Sequence, residues 1–247
     1  MAVKVAECFV GLIDILGFSD LVKNGQLKRV YKTYLRTKHS FSAFQRAINR
    51  KHDSKVVNAQ IFSDTFLVYT DTVGDDRFRA MLAMVGILFV SAMENDLMVR
   101  GAVTTGTLIA SGRAIIGKPI VDAYAHEQAQ EWMGCWFASD SMEGAIPKEY
   151  LDDSISKSTI LKYKIPLKSG DVKEHCALNW VRFMKVLYEG LNGGASITET
   201  ELRRSTSLLN IEGLKWDAQR KIINTRAFLK YAIKMLMKEG SDDSRLP

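Results

Sequence analysis

Two aspartates sit where separate stretches of strand-forming residues end. Asp14 lies in Phe9-Val10-Gly11-Leu12-Ile13-Asp14-Ile15-Leu16-Gly17-Phe18-Ser19-Asp20, and Asp64 in Gln60-Ile61-Phe62-Ser63-Asp64-Thr65-Phe66-Leu67-Val68-Tyr69. A carboxylate inside such an apolar run is costly to bury alone, so it is normally paired or bound to a metal. Two carboxylates brought together repel each other unless a cation sits between them. The chemistry this pair suits is a divalent-metal site working on phosphate, and hard oxygen ligands favour Mg²⁺ or Mn²⁺ over zinc. The plainer alternative is an Asp cap and an Asp turn residue that never meet.

Whether they meet depends on the elements that carry them. A nearly continuous apolar run predicts a central strand over Glu7–Asp14, covered on both faces. Gly17-Phe18-Ser19 turns the chain into a helix capped by Ser19 or Asp20, and its free N–H groups and positive dipole end suit a phosphate. Lys55–Gln60 and Thr65–Thr70 read as a β-hairpin with the two-residue tip Ser63-Asp64. Helices are predicted over Asp76–Glu94 and from Pro119 to about Trp132. Strands are predicted over Leu97–Thr104, Thr107–Ala110 after a turn at Gly106, Cys135–Ala138 and Ile160–Ile165. From about His175 the pattern reads as helix only, over Ala177–Tyr188, Ile197–Leu209 and Lys215–Lys238. The order implies an α+β fold with helices packed on the sheet, and places the Asp14 strand end against the Asp64 turn. The domain reading is a catalytic unit at 1–172, a helical extension at 173–240 and a disordered tail at 241–247.

With 247 residues, 47% hydrophobic and 25% charged, the composition is that of an ordinary globular protein with a sizeable core. Cys8, Cys135 and Cys176 are widely spaced and form no CxxC pair, which suits small buried residues in a reducing cytosol. The formal charge is +6, yet no basic block alternates with aromatics, so the basic residues read as a solvated surface rather than a nucleic-acid groove. The N-terminus shows no signal-peptide pattern. The longest apolar run, Met81–Met93, is too short for a membrane span, which takes about 20 residues. His39, His52 and His175 lack metal-ligand spacing. The absence of GxSxG, P-loop and HExxH motifs argues against those hydrolase and ATPase classes.

Over residues 6–140 the chain resembles the catalytic domain of class III nucleotidyl cyclases. The matching pieces are Ile13-Asp14-Ile15-Leu16-Gly17-Phe18-Ser19, the tip Ser63-Asp64, and Arg100-Gly101-Ala102-Val103-Thr104-Thr105-Gly106. Within that superfamily it looks most like the bacterial pyrimidine cyclases of the Pycsar antiphage system. That likeness rests on Ser63-Asp64-Thr65, Arg100-Gly101-Ala102, and Gly117-Lys118-Pro119-Ile120-Val121-Asp122-Ala123-Tyr124-Ala125 leading into a helix with Glu127.

The resemblance implies a ferredoxin-like, mostly antiparallel sheet and a head-to-tail homodimer in the cytoplasm with the active site at its interface. It implies conversion of UTP or CTP to the 3′,5′-cyclic nucleotide and pyrophosphate, as a messenger in antiphage defence. It implies two Mn²⁺ or Mg²⁺ ions held by Asp14, Asp64 and the Ile15 carbonyl. Gly17, Phe18 and Ser19 are the expected triphosphate contacts, with Lys118 and Arg113 as further candidates. Arg100, a strand arginine beside a glycine, is read as a fork onto phosphate or a pyrimidine carbonyl, or as an ion-pair partner.

Base recognition departs from the purine enzymes. They place a lysine about four residues before the second aspartate, where this chain has Gln60. They also carry an Asn and an Arg four apart on the later helix, where Asp122 and His126 stand here. UTP and CTP both remain open as substrates. A purine triphosphate and a non-catalytic nucleotide-binding module are the other readings.

Overall fold

Strand β1 (Lys4–Ile15) carries apolar side chains on both faces, and this puts it in the middle of the sheet. Phe9, Ile13 and Ile15 join the large core on one side, while Cys8 and Val10 join Leu67 and Leu108 on the other. The structure, a computed structural model, describes residues 4–23, 27–52, 55–111, 114–138, 142, 144–150, 159–194, 198, 200 and 216–242. After β1 come helices α1 (Phe18–Lys23) and α2 (Leu27–Lys51), then the hairpin β2 (Val57–Phe62) and β3 (Thr65–Thr70). Helix α3 (Asp75–Glu94) and strand β4 (Val99–Ala110) follow.

These strands lie in the order β2-β3-β1-β4, each pair antiparallel. That is the ferredoxin-like βαββαβ arrangement. Beyond β4 the sheet continues through β6 (Cys135–Phe137), β8 (Val172–Leu178) and β7 (Ile160–Pro166), with β5 (Ile115–Gly117) paired to β4. Helix α4 (Lys118–Ala129) joins β5 to β6, a 3-10 turn lies at Lys148–Tyr150, and helices α5 (Trp180–Leu191) and α6 (Trp216–Asp242) follow. The protein is therefore an α+β protein with an eight-stranded mixed sheet.

The apolar run at Met81–Met93 forms most of α3, which is buried along nearly its whole length. Among the described residues no helix is long and apolar enough to cross a membrane. Helix α6 places Phe228, Leu229, Ala232 and Ile233 in the same core as the sheet. The Thr225 hydroxyl also accepts a bond from the Met133 N–H at 2.8 Å, tying α6 to the loop before β6.

Several sequence expectations shift. The two strands expected around Gly106 are one strand, because β1 pairs with β4 in unbroken register from Lys4–Ala110 to Ile15–Val99. Helix α4 ends at Ala129, since Gln130 has an extended backbone with ψ of 150°. The helix-only reading from His175 gives way to strand β8. Lys173 and Glu174 obscure its pattern, and pairing with β7 and β6 supplies its strand character. A turn at Leu167–Asp171, with Gly170 at φ 87°, returns the chain from β7. Helix α5 then starts at Trp180, capped by the Asn179 side chain, which accepts from the Arg182 N–H. The stretch Ile197–Leu209 lies outside the described residues except for Thr198 and Thr200, as do Arg113 and residues 243–247. Helix α6 runs to Asp242, into the segment read as a tail.

Gly101 on β4 stands opposite Ile13 on β1. A Cβ there would come within 2.7 Å of the Leu12 carbonyl oxygen and of Ile13 Cγ1. The backbone atom cannot swing aside, so Gly101→Ala is expected to destabilise the fold by about 1–3 kcal/mol. Urea unfolding of the purified variant measures this loss.

Candidate active site

Antiparallel register puts Asp14 on β1 between Thr65 on β3 and Arg100 on β4. Residues directly opposite one another share a face of the sheet, so these three side chains start from one row. The Thr65 hydroxyl donates to Asp14 Oδ1 at 3.0 Å. Two residues before Thr65, the chain turns through Ser63, which adopts the left-handed backbone conformation at φ 51°. The Ile15 N–H then donates to the Asp64 carbonyl oxygen at 3.1 Å. This bond pins the hairpin tip to the end of β1, so the two aspartates occupy one corner of the sheet.

The electrostatics register that proximity. The Asp14 carboxyl is raised from 3.8 to about 6, first by burial and then by the negative charges of Asp64 and Glu127. The Thr65 hydrogen bond and the Arg100 charge pull it partly back. Its ionised form is thus held in a crowded, partly dry, net-negative place.

The donor chemistry at this corner is oxygen only. Two carboxylates and nearby backbone carbonyls match Mg²⁺ or Mn²⁺, which commonly use one or two carboxylates and complete their shells with substrate phosphates and water. Among the described residues no cluster of three or more His, Cys, Asp and Glu side chains forms an all-protein metal cage. The repulsion recorded at Asp14 is what a bound cation would relieve. The residues present therefore fit such an ion.

The metal-free protein carries a pH signature. Asp14 favours the folded state fully below its unfolded value near 3.8, and that contribution is lost as pH rises through about 6. Stability in chelator should therefore fall between pH 4 and pH 6. Because the carboxyl is partly exposed, the change is discounted to on the order of 1 kcal/mol. Asp14→Asn, which keeps an acceptor for Thr65, should remove this fall. Urea unfolding at several pH values checks both curves.

Gly17 follows at φ 72° and its carbonyl accepts from the Leu21 N–H at 3.0 Å, starting α1 at Phe18 and Ser19. Leu16, just before, donates its N–H to the Met98 carbonyl at 2.8 Å. This turn thus leaves the sheet at the same end as Asp14. The Ile15 side chain is buried in the core, and its backbone N–H is the group that meets the Asp64 carbonyl. Gln60 is half-buried on β2 opposite Leu67, and Leu67 is opposite Leu12. Gln60 therefore shares the face of Asp14, two strands away.

Arg100 is placed differently from a phosphate fork. It is 4% exposed, and its Nε donates to Glu127 Oε1 at 2.6 Å. A second guanidinium nitrogen stands 2.5 Å from the same oxygen, and a third donates to the Gln130 carbonyl at 2.8 Å. Glu127 itself is fully buried and also accepts from Gln128 Nε2 at 2.7 Å. Gln130 then ties α4 back to the sheet by donating to the Gly101 carbonyl at 2.8 Å. The guanidinium is committed to the end of α4, and its charge bears on Asp14 from the neighbouring strand.

Lys118 is also not brought to the aspartates. It is exposed and pairs with Asp122 at 2.5 Å in the first turns of α4. With Glu7, Thr105, Thr107, Asp122 and His126 it lines a cavity of about 510 Å³. Glu7 lies seven residues before Asp14 on β1, which is roughly 23 Å along a strand. Thr65 and Glu127 were not singled out from sequence as site residues. Thr65 had a usable signal, since it adjoins Asp64 at a hairpin tip. Glu127 had none beyond being an acid on α4, because its partner is 27 positions away on another element.

No protein-family model matches this chain, and no curated protein matches it. Solved structures do. The guanylyl cyclase Cya2 is 15% identical, with 72% of this chain and 93% of that chain covered and a TM-score of 0.45. The adenylyl cyclase CyaB from P. aeruginosa is also 15% identical, covering 72% and 95%, with a TM-score of 0.45. The catalytic core of a rhodopsin-guanylyl cyclase with converted specificity, in complex with ATPalphaS, is 14% identical, covering 72% and 98%, with a TM-score of 0.48. The functional reading stands on the residues of this chain.

Proposed function

We propose that this protein is a nucleotidyl cyclase that converts a pyrimidine nucleoside triphosphate, UTP or CTP, to its 3′,5′-cyclic monophosphate and pyrophosphate. The observation that carries it is the shared corner of Asp14 and Asp64, with the Asp14 carboxyl pushed up to about 6 by burial and by its acidic neighbours. The resemblance of the surrounding motifs to class III cyclases supports the same reading.

In the reaction, the ribose 3′-hydroxyl loses its proton, its oxygen bonds to the α-phosphorus, and the bond to the leaving pyrophosphate breaks. Asp14 and Asp64, with the Ile15 carbonyl, would hold two Mg²⁺ or Mn²⁺ ions. Such ions lower the pKa of a bound hydroxyl and neutralise triphosphate charge. The Thr65 hydroxyl fixes the Asp14 carboxylate, and the Ile15–Asp64 backbone bond fixes the tip that carries Asp64. The Gly17-Phe18-Ser19 turn is assigned to the phosphate tail. Gln60, in place of a lysine, can both donate and accept, which suits a pyrimidine edge.

The Glu7 end of the Lys118 cavity stands about 23 Å along β1 from Asp14. A head-to-tail homodimer would bring the cavity of one subunit to the aspartates of the other, and we assign the active site to that interface. Cys8, Cys135 and Cys176 form no disulfide among the described residues, which suits a cytoplasmic protein. A role as messenger synthase in antiphage defence is assigned by resemblance.

The test is incubation of the pure protein with each of the four ribonucleoside triphosphates and Mn²⁺, with product masses determined. Cyclic UMP or cyclic CMP supports the proposal. Product from ATP or GTP alone overturns the pyrimidine assignment, and no cyclic product from any of the four overturns the enzyme.

A further inference from the structure

The excess positive charge of this protein is concentrated in one surface helix. Helix α2 holds eight Lys and Arg and no Asp or Glu. The rest of the chain holds 26 basic and 28 acidic residues, so without α2 it is net negative. The basic residues look spread along the sequence only until the acids are counted beside them.

The helix is clearly two-sided. Thr37 and Phe41 are fully buried, and Tyr34, Phe44 and Ile48 pack on the core. On the opposite side Lys28, Lys32, His39, Arg46 and Arg50 are exposed and follow one another at steps of four and seven residues. Such spacing keeps them on one line. The line runs roughly 33 Å along the helix. Arg36 and Lys38 flank it, also exposed. Among the described residues no cation of α2 is held in an ion pair. Beside the row, Leu27, Tyr31 and Leu35 are 58%, 62% and 41% exposed, again at successive steps of four.

We propose that the outer face of α2 docks this protein on an anionic lipid bilayer. The Lys and Arg of the row lie on the phosphate-bearing headgroups, and Leu27, Tyr31 and Leu35 enter the headgroup–acyl boundary. A straight row is matched by a flat anionic surface, where every charge engages at once. The exposed aliphatic side chains decide against a nucleic acid, which offers them no apolar partner, whereas an interfacial helix uses Leu and Tyr in this way. The proposal is independent of the catalytic reading, because no residue of α2 belongs to the Asp14–Asp64 corner.

The test is sedimentation of the full chain with vesicles of phosphatidylcholine alone, or with about one third phosphatidylglycerol, a content that gives the bilayer a negative surface potential. The protein should pellet with the anionic vesicles only, and added salt should release it. Reversing three charges, Lys32→Glu, Arg46→Glu and Arg50→Glu, should lower partitioning by at least about 100-fold. The corresponding Gln variants should lower it by less, with helix content by circular dichroism unchanged in both. Leu27→Ser, Tyr31→Ser and Leu35→Ser together should lower it about tenfold. Triphosphate turnover without vesicles should be unaffected by any of these. Equal pelleting with neutral vesicles, no pelleting at low salt, or undiminished binding by the folded charge-reversed protein overturns the proposal. So does tight binding of duplex DNA or RNA under conditions where anionic vesicles are ignored.

Discussion

Asp14→Asn and Asp64→Asn are each expected to lower cyclic-nucleotide formation by at least about 10³-fold while leaving a folded protein. The magnitude follows from removing a charged ligand from a site whose work is to stabilise charge at phosphorus. Asparagine keeps the shape of each side chain and, at position 14, an oxygen for the Thr65 hydroxyl. Loss of turnover would therefore report the carboxylate's charge rather than the local fold. The two measurable effects of Asp14→Asn point in opposite directions. At neutral pH the wild-type carboxylate is ionised against the pull of burial and of Asp64 and Glu127. Its neutral replacement should raise the metal-free stability by on the order of 1 kcal/mol, discounted for partial exposure. A variant more stable than wild type and inactive is the pattern expected of a residue kept for function. A steady-state assay with Mn²⁺ and UTP or CTP, paired with urea unfolding in chelator, reads both effects. A folded variant with undiminished turnover would remove the mechanism.

The second large effect is expected at the buried ion pair. Arg100→Ala leaves Glu127, fully buried, without its guanidinium, and Glu127→Ala leaves Arg100 facing only the Gln130 carbonyl and its other neighbours. Breaking a buried pair from one side costs about 3–5 kcal/mol because the remaining charge has no compensation. That is a large share of the roughly 5–15 kcal/mol that holds a domain together. The milder Glu127→Gln, which retains an acceptor, should cost less and stay folded. Replacing both charges at once with apolar residues, Arg100→Met with Glu127→Leu, should recover much of the loss. The pair also acts on Asp14 from both signs. Removing the Arg100 charge should move Asp14 further up, and removing the Glu127 charge should let it fall. The pH dependence of turnover should shift in those opposite senses, which a purely structural role for the pair would not produce. Urea unfolding and pH–rate profiles of the two single variants and the double variant check this.

How far the sequence could be read depended on how local each signal was. The strand ending in Asp14 and the tip at Ser63-Asp64 are legible because an apolar run broken by one carboxylate, and a two-residue turn between paired strands, are short-range patterns. Setting the hairpin beside the first strand then puts the two strand ends together, as the pairing of β1 with β3 does. Arg100 shows the limit. Its neighbour Gly101 and its strand were readable, but its partner Glu127 is fixed only when α4 docks along β4 through Gln130. A side chain that seemed available for a ligand is thereby used inside the fold. Strand β8 was hidden for a similar reason. Lys173-Glu174-His175 has no apolar alternation, and only the neighbours β6 and β7 make it a strand. The cavity at Lys118 was equally out of reach, since it gathers residues from β1, β4 and α4.

Anomalous diffraction from crystals grown with Mn²⁺ and 3′-deoxy-UTP, which lacks the attacking hydroxyl, tests the central claim most directly. The account predicts manganese peaks within about 2.0–2.6 Å of carboxylate oxygens from both Asp14 and Asp64, the range for hard divalent cations on oxygen ligands. Peaks located elsewhere, with nothing between those two side chains, would contradict it.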